Sequence, residues 1–122
     1  MIELDEARHS LIVTIVRKGY ADVVMSAARE AGAKGGTMLF GRGSGVHEAE
    51  KFLNISIEPE KEIVLTLVRT AIAKEVITSI TDKAGLTKAG VGISFVLPVT
   101  RTAGFNLKIS EKESPETAPA KE

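Results

Sequence analysis

The chain contains no cysteine and no tryptophan, and four prolines among its 122 residues. Without cysteine there are no disulfides, thiolate metal sites, iron–sulfur clusters or cysteine nucleophiles, and the composition suits a reducing compartment. Aromatic residues amount to 4%, too few for the stacking platforms by which sheets hold RNA. Net charge is missing as well. Sixteen basic residues balance sixteen acidic ones, so no overall field draws the chain to a nucleic acid or an anionic membrane. Any basic site must be local. The longest apolar runs, Leu11 to Val16 and Ile63 to Val68, are each broken by a threonine and fall far short of the ~20 residues of a membrane-spanning helix. The N-terminal Met1-Ile2-Glu3-Leu4-Asp5-Glu6 carries acids where a secretory signal needs positive charge, which predicts a cytoplasmic protein.

What is present points to one ordinary folded domain, with 43% apolar and 26% charged residues in a chain of single-domain length. Two segments repeat each other. Ile12-Val13-Thr14-Ile15-Val16-Arg17 has a counterpart in Val64-Leu65-Thr66-Leu67-Val68-Arg69, and both read as β-branched strands. Each is followed by an apolar stripe at helical spacing: Tyr20, Val23, Val24, Ala27, Ala28 and Ala31, then Ile72, Val76, Ile77, Ile80 and Ala84. Gly32 and Gly85 stand at the two stopping positions. Strands at Thr37-Met38-Leu39-Phe40 and Ile93-Ser94-Phe95-Val96-Leu97 complete a βαββαβ order. Two such halves with right-handed crossovers predict an α+β, ferredoxin-like domain: a four-stranded antiparallel sheet with both helices on one face. The first strand of each half should lie centrally. Because two helices cover only one side, the apolar residues on the other side predict a homo-oligomer packed sheet against sheet.

Two regions fall outside the regular elements. Gly41 to Glu60 reads as a long loop with three glycines, His47, four glutamates and Pro59, and loops of that length are more often functional than accidental. The tail 110–122, beyond a domain spanning 1–109, has four glutamates, two lysines, two prolines and no apolar periodicity, which predicts an acidic disordered segment. Residues suited to catalysis are few. His9 begins a strand, His47 stands beside Glu48, and no serine has a nucleophile-elbow context, so nothing argues for an enzyme. Two segments join flexible backbone to a cation, Gly41-Arg42-Gly43-Ser44-Gly45 and Lys88-Ala89-Gly90-Val91-Gly92. Such segments can aim amides at phosphate oxygens while a side chain neutralises charge, although tight turns also call for glycine. Arg101, beyond the last strand, offers a third cation.

Over residues 8 to 105 the chain resembles the PII signal-transduction family, small trimeric proteins of ferredoxin-like fold that bind adenine nucleotides between subunits. The likeness is carried by Gly36-Thr37-Met38-Leu39-Phe40-Gly41-Arg42-Gly43, similar to the strand leading into the family's T-loop. It is carried also by Gly90-Val91-Gly92-Ile93-Ser94-Phe95-Val96, similar to its B-loop and last strand. The resemblance implies that Gly41 to Glu60 is the T-loop, and that Thr37 lies near the adenine. It likewise implies that Gly41 and Arg42 form the T-loop base, that Gly90 and Gly92 bind phosphate, and that Arg101 reaches phosphates from an adjoining subunit. Val91 and Ile93 stand where the family has an aspartate and a phosphate-binding lysine, leaving Lys88 for comparable work, and one arginine replaces two or more near the C-terminus. Fewer fixed cations favour AMP or ADP over ATP. The T-loop holds no tyrosine, the only one being Tyr20, so the family's tyrosine modification has no acceptor there.

The resemblance therefore implies a homotrimeric, non-enzymatic sensor without a resident cofactor. Its effector is a small molecule and its target a membrane transporter or a metabolic enzyme, with no role for nucleic acid. The competing reading is a metal-responsive or structural trimer resembling the divalent-ion tolerance proteins, with His9, His47 and the loop glutamates as ligands.

Overall fold

Alternation of fully and half-buried residues along two strands organises the domain. A computed structural model describes residues 8–44, 50–52, 55–57 and 59–104. Along the chain the elements are β1 (His9–Arg17), α1 (Ala21–Glu30), β2 (Thr37–Arg42), β3 (Glu50–Phe52), β4 (Ile55–Ile57), β5 (Glu60–Arg69), α2 (Thr70–Ala84) and β6 (Gly92–Val99). Apart from β3 and β4 this is the expected βαββαβ order. The main sheet runs β2-β5-β1-β6 with every neighbour antiparallel, so the repeated strands β1 and β5 are the central pair. The tail 110–122 lies outside the described residues.

Burial separates the two faces of the sheet. On β1, Ser10, Ile12, Thr14 and Val16 are buried, and on β5 so are Glu62, Val64, Thr66 and Val68. The apolar members of that face join Val24, Ala27 and Ala28 of α1 and Ala73, Val76 and Ile80 of α2 in one core. Both helices thus sit on the same side. The core is built from alanine, valine and isoleucine, as the scarcity of aromatic residues requires. Alanines between the helices leave room for the Ser79 hydroxyl of α2 to donate to the Ala27 carbonyl of α1 at 2.8 Å, and Lys83 pairs with Glu30 at the end of the helices. Gly85 ends α2 in the left-handed region at φ 73°, as expected of a stopping glycine. Gly32, one residue beyond the cap of α1, also has positive φ, 114°.

Among the described residues, the opposite face carries no helix. Register places Leu39 of β2, Ile63, Leu65 and Leu67 of β5, Leu11, Val13 and Ile15 of β1, and Ile93, Phe95 and Leu97 of β6 on it together. Central members are half-buried by their neighbours, whereas the edge residues Leu39 (45%) and Ile93 (56%) stay open. The apolar surface predicted from the two central strands is therefore present, and it extends onto both edges.

The segment 41–60 holds more regular backbone than a plain loop. Gly41 and Arg42 prolong β2 against Lys61 and Glu60 of β5, and the Gly43 amide donates to the Pro59 carbonyl at 3.2 Å. Further out, β3 and β4 form a separate antiparallel hairpin, pairing Glu50 with Ile57 and Phe52 with Ile55. Sequence alternation across 50–57 is too short to have announced it.

Candidate functional site

The anticipated binding residues occupy three places in a single chain. Thr37, Gly41 and Arg42 belong to β2, at one edge of the sheet. Lys88, Gly90 and Gly92 lead into β6, at the other edge. Both groups lie at the same end, since Gly92 pairs with Val16, Val16 with Glu62, and Glu62 with Phe40 across the full sheet. Three strand spacings keep them roughly 14 Å apart. Arg101 lies past the far end of β6, where Val99 pairs with His9, roughly 23 Å or more along the strand direction from Gly92. No one copy of the chain can bring all of these residues to a common ligand.

The glycines have local reasons to be glycine. Lys88, Ala89, Gly90 and Val91 form a turn closed by the Val91 amide donating to the Lys88 carbonyl at 3.3 Å, with Gly90 at φ 79° in the third position. That position of such a turn requires positive φ. At Gly92 the requirement is steric: a Cβ there would lie 2.4 Å from the Ile15 carbonyl oxygen and 2.9 Å from Val16 Cα. The Arg17 amide donates to the Val91 carbonyl at 3.1 Å, which draws this strand start onto β1. At Gly41 a Cβ would meet only the Ile63 Cδ1 at 3.2 Å, a flexible neighbour, so geometry restricts this position less.

Charge gathers at the Arg42 corner. Arg42 faces Glu60 across the β2–β5 pair, and Lys18 reaches the same carboxylate at 3.0 Å. The hydrogen bond and charge of Lys18, with Arg42 adding to them, hold the Glu60 carboxyl below its usual range. Two cations thus surround one exposed acid. One row inward, the Glu62 carboxylate is buried and accepts the Ala21 amide at 2.8 Å. Tyr20, at the N-cap of α1, provides no side-chain cap, so this carboxylate from β5 satisfies an amide of the helix start instead. Sequence reasoning missed Glu62, whose only signal is an acid opening an apolar strand. It also passed over the side-chain exposure of Phe40, at 72% the most exposed large apolar residue described.

Among the described residues no three His, Cys, Asp or Glu side chains stand together as a metal site. His47 lies outside those residues. His9 opens β1, as expected, and no described helix is long and apolar enough to cross a membrane.

Comparison with known proteins bears on the whole fold. A family model described as nitrogen regulatory protein P-II matches residues 9–106. Among solved structures, the chain is similar to Arabidopsis thaliana PII bound to citrate, at 24% identity over 80% of this chain and 81% of that one, with a TM-score of 0.61. At that identity the likeness speaks to the fold. No curated protein sequence matches. A family match from the start of β1 to beyond the end of β6, on a βαββαβ sheet whose repeated strands lie centrally, has one consequence: the chain belongs to the nitrogen regulatory protein P-II family.

Proposed function

We propose that the chain is a non-enzymatic signalling regulator that works as a homotrimer, binds an adenine nucleotide between subunits, and controls a target protein through the segment 41–60. The observation that carries this reading is the division of the cationic and glycine-rich segments between opposite edges of one sheet, at the same end. When the β2 edge of one copy approaches the β6 edge of the next, Thr37, Gly41 and Arg42 meet Lys88, Gly90 and Gly92, and a site incomplete in one chain closes. Burial of the helix-free apolar face drives that association. Arg101, distant within its own chain, is supplied across a subunit boundary.

Nucleotide binding at this seam acts on the segment 41–60 because Gly41 and Arg42 are both ligand contacts and the root of that segment. A ligand that touches the root differently in two conformations of the segment shifts their populations, and a target reading the segment responds. The target is a membrane transporter or a metabolic enzyme. With Ile93 and Val91 in place of charged side chains, Lys88, Arg42 and Arg101 supply the positive charge, which suits AMP or ADP better than ATP. Isothermal titration with AMP, ADP and ATP tests the reading. The expected order places AMP and ADP ahead of ATP, and heat from none of the three contradicts nucleotide sensing.

A further inference from the structure

The zero net charge of the chain is unevenly distributed. Thirteen of the sixteen basic residues but seven of the sixteen acidic ones fall among the described residues, so the folded body is cationic and its counter-charge belongs to the rest of the chain. Part of the excess gathers where α2 begins, at the end of β5 farthest from Glu60 and the segment 41–60. There the Thr70 amide donates to the Arg8 carbonyl at 2.7 Å, Arg69 stands opposite His9 across the β5–β1 pair, and Lys74 lies one turn into the helix. The end of α1 meets the same place, since a Cβ on Gly32 would lie 3.2 Å from the Ile72 Cδ1, and it brings Arg29 and Lys34. All five cations are exposed. The described acids of this end are Glu30, which is paired with Lys83, and Glu75. Helix starts favour negative charge, yet Arg69 at the N-cap of α2 makes no capping hydrogen bond through its side chain and the first turn holds no acid.

We infer that the acidic segment 1–7 folds back onto this end as an intramolecular mask, with its carboxylates set against Arg69, Lys74 and the start of α2. The segment holds Glu3, Asp5 and Glu6 and no basic residue. It joins the described chain at Arg8, whose carbonyl is already bonded to the first residue of α2. At roughly 3.3 Å per residue, full extension carries Glu6 about 7 Å and Glu3 about 17 Å from Arg8, which spans the first turns of the helix. A single exposed ion pair contributes little. Here the attachment point supplies a high effective concentration, so three such contacts act together without a separate binding step. The tail 110–122 fits less well, because two lysines accompany its four glutamates and 105–109 separates it from the described residues. While the segment is in place the basic end repels no cation and attracts no polyanion, and high salt or a stronger polyanion uncovers it.

The chain has no cysteine, so Ile2→Cys carries a nitroxide label at this position alone. In amide NMR of the full chain at low salt, the label should broaden Ala71, Ile72 and Ala73. That broadening should fall about twofold or more at about 1 M salt, where the screening length shrinks to about 3 Å. Adding Glu3→Gln, Asp5→Asn and Glu6→Gln to the labelled chain should produce the same fall at low salt. Broadening that is equal at both salt concentrations, or equal with and without the three acids, overturns the inference, because mere tethering or an apolar contact then accounts for it. Unbroadened amides at low salt overturn it too. A label at Ser110→Cys that reports the salt-sensitive contact in place of Ile2→Cys assigns the mask to the tail and excludes segment 1–7.

Discussion

Thr66 shows how one side chain can oppose the fold that surrounds it. The residue is 1% exposed on the helix-covered face and its hydroxyl has no hydrogen-bond partner among the described residues, whereas Thr14 on the neighbouring strand satisfies its own through the Ser94 hydroxyl at 2.9 Å. An unpaired buried hydroxyl costs about 1–3 kcal/mol, and a methyl of the same shape removes that penalty. Thr66→Val should therefore raise unfolding stability by about 1 kcal/mol, read as a higher denaturant midpoint at unchanged slope. A lower midpoint would mean that the hydroxyl does find a partner. Glu62 is the contrasting case, a buried acid that is satisfied, because its carboxylate holds the start of α1 against β5. Neither role could be read from the sequence. The amide that Glu62 caps is 41 positions away, and the environment of Thr66 depends on the packing of α1 above it.

Among the elements, the strand–turn connection at 88–92 carries the most constraint. Gly90 is needed by its turn and Gly92 by the approach of β6 to β1, where the atoms that a Cβ would strike include backbone that cannot rotate away. Gly92→Ala should cost about 3 kcal/mol, the upper end of the range for overpacking. Gly90→Ala should cost about 1–2 kcal/mol for a non-glycine residue in the left-handed region. Chemical denaturation of the two variants checks the order, and Gly92→Ala as stable as wild type would contradict the packing account. The periodicity of the sequence was enough to place β1, β5 and both helices, because apolar stripes and stopping glycines are local signals. Gly90 and Gly92 were legible only as flexible residues beside a lysine, since the clash at position 92 exists only once β6 is in register with Ile15 and Val16. The same limit applies to Phe40. Met38-Leu39-Phe40 reads as one apolar run, and only the position of β2 at the sheet edge exposes its alternate residues to opposite sides.

At the scale of the whole molecule, one sheet face is covered by helices and the other is apolar and, among the described residues, carries no helix. The excess of apolar residues in β1 and β5 already implied this in the sequence, and the added contribution of β2 and β6 required the register. The candidate binding residues of β2 and of 88–92 lie at opposite edges of the same sheet, so in the proposed function assembly and ligand binding become two aspects of a single arrangement. Native mass spectrometry of wild type and Leu97→Lys tests that arrangement most directly. Leu97 is 44% exposed in a single chain and lies on the helix-free face opposite Leu11, so lysine there leaves the isolated fold intact while placing a charge in the face that association would bury. The account predicts a wild-type trimer carrying adenine nucleotide, and a folded, nucleotide-free single chain for Leu97→Lys. A wild-type protein that is folded as a single chain and carries no nucleotide would contradict it.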